Sequence, residues 1–275
     1  MNPGPGGNDE KLGKRALLAV AVVAIVIGSF FFYRQQVTTP PAPAASPPAK
    51  PAPATPPPAP ADNPPAEAPE APEAPALPSL DHSDAVATAQ LVALFGKSSF
   101  DSLFHPQQLI RHITATVDNL PRDKVAMRLR PLKTMDSQFV ADGTEGDYTL
   151  GPDNYARYAP YIKLVEALDP DAAVKAYVAL YPLFQQAYVE LGNPDGYFND
   201  RVVEVIDDLL ATPDLKGPIP LVRPSVMYKF ADPGLESMSA GQKLLLRMGP
   251  DNAARVKAKL KAVRDLITAS PPGGD

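Results

Sequence analysis

Two carboxylates at a suitable separation can run acid–base chemistry on a glycosidic bond, so the acidic residues are the first place to look. Asp200, Glu204, Asp207 and Asp208 are spaced to share one face of a helix whose other side is Val202, Val203, Ile206 and Leu209. Glycoside hydrolysis needs one carboxyl with a raised pKa, and burial is what raises it. An acidic stripe facing water has no such shift, so the plain reading is a solvated face. Glu204, Asp207 and Asp208 stand as the acidic site of an alternative reading, a domain that binds or hydrolyses a cell-wall glycan.

Aromatic chemistry is more concentrated. Tyr148, Tyr155, Tyr158, Tyr161, Tyr177, Tyr181, Tyr188 and Tyr197 are 8 of the 10 tyrosines. Tyr177, Tyr181, Phe184 and Tyr188 form one stripe at helical spacing. Pro182 within it removes the N–H that would bond the Val178 carbonyl, which predicts a bend and an opened groove. With the loop Gly196-Tyr197-Phe198-Asn199-Asp200-Arg201, this defines a candidate binding groove: Tyr177, Tyr181, Phe184, Tyr188, Tyr197, Phe198, Asn199, Asp200 and Arg201. Stacked tyrosines with wet hydroxyls suit sugar rings or a partner's anchor side chains. Against this stands the commoner fate of such a stripe, which is the core. In that case Asn199 is a helix N-cap and its two aromatic neighbours tuck inward.

Other chemistries find little support. His82, His105 and His112 are the only histidines and there are 0 cysteines, so no metal-ligand set is recognisable. Asp142-Gly143-Thr144-Glu145-Gly146-Asp147 lacks the EF-hand spacing and reads as a turn. No GxSxG, P-loop or GxGxxG is present, so neither a catalytic set nor a cofactor is expected, and the balance leans away from an enzyme. Met248-Gly249-Pro250-Asp251-Asn252-Ala253 is in part similar to a helix-hairpin-helix turn, with Arg255, Lys257, Lys259, Lys261 and Arg264 following. Asp251 would repel phosphate there, so a structural hairpin is expected and no nucleic-acid partner. Asp195–Asp214 carries six acids against one arginine, whereas Ser239–Thr268 carries seven bases against two acids. The two segments are expected to face each other.

The elements that must position these residues are mainly helical. Helices are predicted over Asp84–Phe95 between Ser83 and Gly96, from Pro106 to Pro121, over Asn154–Leu168, over Pro170–Leu191 after Asp169, and over Asn199–Ala211. A capping box at Ser239-Ala240-Gly241-Gln242 opens a further helix to Met248, and Asp251–Thr268 follows it. Extended pieces are predicted at Val125–Leu129 and Phe139–Leu150, the latter turning at Asp142–Asp147. Leu221–Phe230 reads as a strand that Pro224 restricts to an edge or bulge. The fold class is mainly α with a small β element (α+β).

The 275 residues include 35 prolines and carry a formal charge of −5. Lys11, Lys14 and Arg15 precede an uncharged stretch, Ala16–Tyr33, of transmembrane length. Basic residues before the span outnumber Arg34 after it, which favours an N-terminus in the cytoplasm and a C-terminal domain across the membrane. A cleaved signal peptide is the weaker alternative, since no small-x-small site follows promptly. Pro40–Pro78 holds 17 of the prolines. It cannot form a core, and at ~3.1 Å per residue it would reach roughly 120 Å at most. The expected organisation is a cytoplasmic head (1–15), a transmembrane helix (16–33), a disordered Pro/Ala-rich linker (34–78), one globular domain (79–270) and a tail (271–275).

Several long runs carry a family resemblance: Val117-Asp118-Asn119-Leu120-Pro121-Arg122, Tyr181 to Tyr188, Gly196 to Arg201, Phe230-Ala231-Asp232-Pro233, and Ser239 to Pro250. Together they resemble an uncharacterised bacterial membrane-anchored family, domain of unknown function 3014, over nearly all of Leu77–Ile267. The resemblance implies a tethered envelope protein and supplies no catalytic residues. The expected function is therefore a non-enzymatic, inner-membrane-anchored periplasmic module that binds an envelope protein partner, with peptidoglycan as the alternative ligand.

Overall fold

The computed structural model describes residues 77–124, 127–135 and 137–269. The expected head, transmembrane helix, nearly all of the linker and the tail lie outside the described residues. Among the described residues, no helix is long and apolar enough to cross a membrane.

The first helix, α1 (Asp84–Phe95), runs between the residues that punctuate it in the sequence, ending where Gly96 takes φ 79°. Ser83 does not cap it by side chain; its hydroxyl donates to the Leu80 carbonyl at 2.7 Å. The next helix, α2 (Lys97–Leu103), is one the sequence pattern does not show, because Phe100 is its single buried residue. Helix α3 (Leu109–Asn119) begins later than Pro106. The Asp84 carboxylate accepts from the Gln108 and Leu109 N–H groups at 2.8 and 2.9 Å, so the first residue of α1 caps α3 and holds Gln108 at a strained φ of 52°. Met127–Leu129 is a 3₁₀ turn instead of the expected extended piece.

Strand β1 (Tyr148–Leu150) follows the Asp142–Asp147 turn, and Asp142 pairs back to Thr149. The helix expected over Asn154–Leu168 is two, α4 (Pro152–Ala156) and α5 (Ala159–Ala167). Pro160 is the reason: it has no N–H to continue a helix, but it fits a first turn. Helix α6 (Pro170–Glu190) is continuous through Pro182, with the Asp169 carboxylate accepting from the Asp171 N–H at its start. Val178 and Pro182 are both exposed, so water can take the carbonyl that Pro182 frees.

Helix α7 (Phe198–Leu210) leads to β2 (Ile219–Val222) and β3 (Lys229–Phe230). The single strand expected over Leu221–Phe230 is thus a turned pair, with Pro224 in the turn. The sheet order is β1-β2-β3, antiparallel, with Tyr148 opposite Leu221 and Leu221 opposite Phe230. A short helix, α8 (Pro233–Glu236), precedes the hairpin of α9 (Ala240–Arg247) and α10 (Pro250–Ala269).

Helices α1, α2, α3, α5, α6, α7, α9 and α10 all bury side chains in the main core, and the sheet covers a smaller cluster of Leu150, Ile219, Leu221, Phe230, Leu235 and Leu246. At the start of the described chain, Leu80 is buried and Arg111 of α3 bridges Asp81 and Glu190 at 2.8 and 2.9 Å. This clasp fastens the incoming segment to α3 and α6.

Candidate functional site

The aromatic stripe is the buried side of α6. Tyr177, Phe184, Tyr188 and Phe198 are all buried, and Phe198 is the common neighbour: its ring lies 5.6 Å from those of Phe184 and Tyr188 and 6.3 Å from Tyr177. These four fill the core and do not line a groove: Tyr177, Phe184 and Tyr188 form the apolar face that α6 must bury, and Phe198 at the start of α7 packs onto it. Burial drives the Tyr177 phenol well above its ordinary pKa, and its hydroxyl has no partner among the described residues.

What reaches the surface is the loop after α6. Gln185 pins it from two sides: its Nε2 donates to the Gly196 carbonyl at 2.7 Å and its Oε1 accepts from the Phe198 N–H at 2.8 Å. The Tyr181 hydroxyl donates to the same Oε1 at 3.1 Å. Tyr197, between those two anchored residues, is 67% exposed. It also occupies the N-cap position of α7, a correction to the expected Asn199 cap. Asn199 falls inside the helix because Phe198 is drawn into the core, and its buried Oδ1 has no partner among the described residues. Half-buried Tyr181 packs edge-on against Tyr177 at 5.5 Å. Its phenol is raised by burial, with Asp200 and Tyr197 pushing the same way against an Asn199 backbone hydrogen bond.

Arg201 turns away from any ligand. Its Nε donates to Asp118 Oδ1 at 3.0 Å, its second nitrogen to the Asp118 carbonyl at 2.7 Å, and it pairs with Glu204 at 2.7 Å. Asp118 also takes Arg122 at 2.6 Å. Beside this lock the Leu120 and Arg122 carbonyls accept from the Gly241 and Ala240 N–H groups at 3.0 and 2.8 Å. A Cβ on Gly241 would stand 2.5 Å from Leu209, so only glycine allows that approach without displacing the leucine. Three of the runs that carry the family resemblance therefore meet at one junction.

The acidic stripe is a largely exposed face, as expected, but most of its carboxylates are paired. Asp207 binds Arg264, Glu204 binds Arg201, and Asp208 accepts from the Ser239 hydroxyl at 2.7 Å. Asp208 is raised above the usual carboxylate range by burial, the shift an acid catalyst needs, but it sits at the junction of α7 and α9. Gln242 does not close the expected capping box: the Ser239 hydroxyl accepts from its N–H, while its side chain donates to the Asp208 carbonyl at 2.9 Å. Of the carboxylates near the loop, Asp195 and Asp200 have no ion-pair or hydrogen-bond partner among the described residues.

The basic helix faces the acidic one, as their charges predict. Lys257 pairs with Asp214 at 2.7 Å, Arg255 with Glu166 at 3.1 Å, and Lys259 donates to the Leu168 carbonyl at 2.7 Å. Gly249 turns the hairpin at φ 86° with the Tyr155 ring where a Cβ would stand, next to an open cleft of ≈ 590 Å³. His105 and His112 are both held below their ordinary pKa, chiefly by burial. Among the described residues no cluster of His, Asp or Glu is arranged to hold a metal ion.

Sequence reasoning passed over Asp118, Gln185 and Gln242 as organisers of the site. Asp118–Arg122 and Tyr181–Gln185 are at i, i+4 spacing, but the partners that build the site, Arg201 for Asp118 and backbone groups for Gln185 and Gln242, lie further away in the chain.

These observations define a class: a mainly helical α+β domain whose motif residues mostly hold the fold together and present one pinned loop. Residues 109–264, more than half of the chain, match the family described as protein of unknown function (DUF3014), and the chain belongs to that family. No curated protein and no solved structure matches it.

Proposed function

We propose that this chain is a membrane-anchored module of the cell envelope that binds a protein partner through the Tyr197 loop. In this reading Ala16–Tyr33 anchors it in the inner membrane, the Pro/Ala tract spaces it, and the domain works in the periplasm without catalysis. The carrying observation is Tyr197, 67% exposed between two residues pinned by Gln185. A large aromatic side chain on a rigid loop loses little freedom on binding, which is how interface anchors are built.

The test places a photo-crosslinking amino acid at exposed Leu191 in the full chain in its own membrane. A discrete protein adduct that disappears in Tyr197→Ala, with none from the same group at Val226 beyond the sheet, is the expected result. Adducts indifferent to Tyr197, or none, would overturn the proposal. The exposed Tyr197 face also suits stacking on a sugar ring. Retention of the full chain on peptidoglycan sacculi, lost in Tyr197→Ala, would transfer the site to the glycan reading.

A further inference from the structure

The Tyr197 loop combines an exposed aromatic ring with two exposed acids. Asp195 lies two residues before Tyr197 and Asp200 three after, in the first turn of α7, both exposed and both without a partner among the described residues. The nearest cation in the chain, Arg201, is already neutralised by Asp118 and Glu204. Tyr197 at the N-cap of α7 and Asp200 in its first turn stand three positions apart, a spacing that brings both side chains to one side of the helix start. The Tyr177 ring packs 5.5 Å from that of Tyr181, and the Tyr177 hydroxyl and the Asn199 Oδ1 are buried without partners among the described residues.

An open tyrosine face attracts a cation through its quadrupole, and an adjacent free carboxylate gives that cation a charge-assisted hydrogen bond. We propose that the Tyr197 loop receives an arginine or lysine side chain of the protein partner, over the Tyr197 ring and against Asp200, with Asp195 adding attraction. This rests on the partner-binding reading and narrows the partner to one presenting a basic segment. The acids further along α7 do not compete for that side chain, since Glu204, Asp207 and Asp208 are already paired.

The probes are three capped pentapeptides, Ala-Arg-Ala-Arg-Ala and its lysine and glutamate counterparts, titrated into the full chain in detergent micelles. The readout is ¹⁹F NMR of 3-fluorotyrosine, with the Tyr197 resonance assigned by Tyr197→Phe and the buried Tyr177 resonance serving as the control for folding. Saturable movement of the Tyr197 resonance by the arginine and lysine peptides, and none by the glutamate peptide, is expected. Asp200→Asn should weaken the apparent affinity about threefold, as should raising the salt severalfold. Equal response to the glutamate peptide, no response to the basic ones, or an Asp200→Asn titration identical to the parent would overturn the inference. If the Leu191 crosslink persists while the basic peptides fail, the cation site falls and partner binding stands; if the crosslink fails as well, both fall.

Discussion

The two ends of α7 carry the same kind of residue and use it differently. Toward the C-terminus, Asp207 is taken by Arg264, Asp208 by Ser239, and Asp214 just beyond the helix by Lys257, so the acids join α7 to α9 and α10. At the N-terminus, Asp195 and Asp200 have no such partner and flank an exposed tyrosine. One acidic stripe is thus divided into a part that holds the fold and a part left open to other molecules. The adjacent aromatics divide likewise: Phe198 is fully buried and Tyr197 is the most exposed large apolar side chain described.

That contrast can be broken most severely at the aromatic pair. Phe198→Ala should cost about 4 kcal/mol of stability, since it removes the ring that Phe184, Tyr188 and Tyr177 pack around. Tyr197→Ala should stay within about 0.5 kcal/mol of the parent in the same urea titration. Similar losses in both would mean that the loop is structural throughout.

Next in size is the lock. The Asp118 and Arg201 side chains are 8% and 15% exposed, so Asp118→Ala, which leaves Arg201 its pair with Glu204 but takes away its buried partner, should cost about 2 kcal/mol. Glu204→Gln, at the exposed arm of the same arginine, should barely move the unfolding midpoint.

A smaller effect is expected at Asp208, and its sign follows from burial. The folded pKa is raised, so the folded state holds the proton longer than the unfolded chain does. The contribution of this group to stability is therefore largest at low pH and is lost as pH rises through the raised folded value. Asp208→Asn, which still accepts from Ser239, should remove that decline and be no less stable than the parent at neutral pH. A steeper decline in the variant would contradict the assignment. Smallest of all is Arg264→Met, which breaks an exposed pair with Asp207 and should leave the thermal midpoint nearly unchanged.

Much of the frame is legible in the sequence because its signals are local. Gly96 stops α1, Asp169 caps α6, and the opposite charges of Asp195–Asp214 and Ser239–Thr268 foretell the packing of α7 against α10. Helix α2 is not legible, since one buried phenylalanine makes no period. The candidate site is legible only in outline. The residues around Tyr197 are visible as a cluster, but which ring is buried depends on a core drawn from helices all along the domain. That Arg201 locks onto Asp118 rather than waiting for a ligand depends on a contact 83 positions away along the chain.

The clasp at Asp81, Arg111 and Glu190 has a mechanical consequence. Everything before residue 77 joins the domain there, so any pull along that connection loads Leu80 and Asp81 first. Those residues belong to a short 3₁₀ turn (Leu80–His82) that buries Leu80 and exposes Asp81, and Asp81 can be peeled from Arg111 while Glu190 still neutralises it. The attachment should yield one contact at a time, as an unzipping, before force reaches α3 and α6. The exposed ion pair is the first contact to yield, and the buried Leu80 side chain behind it is the second.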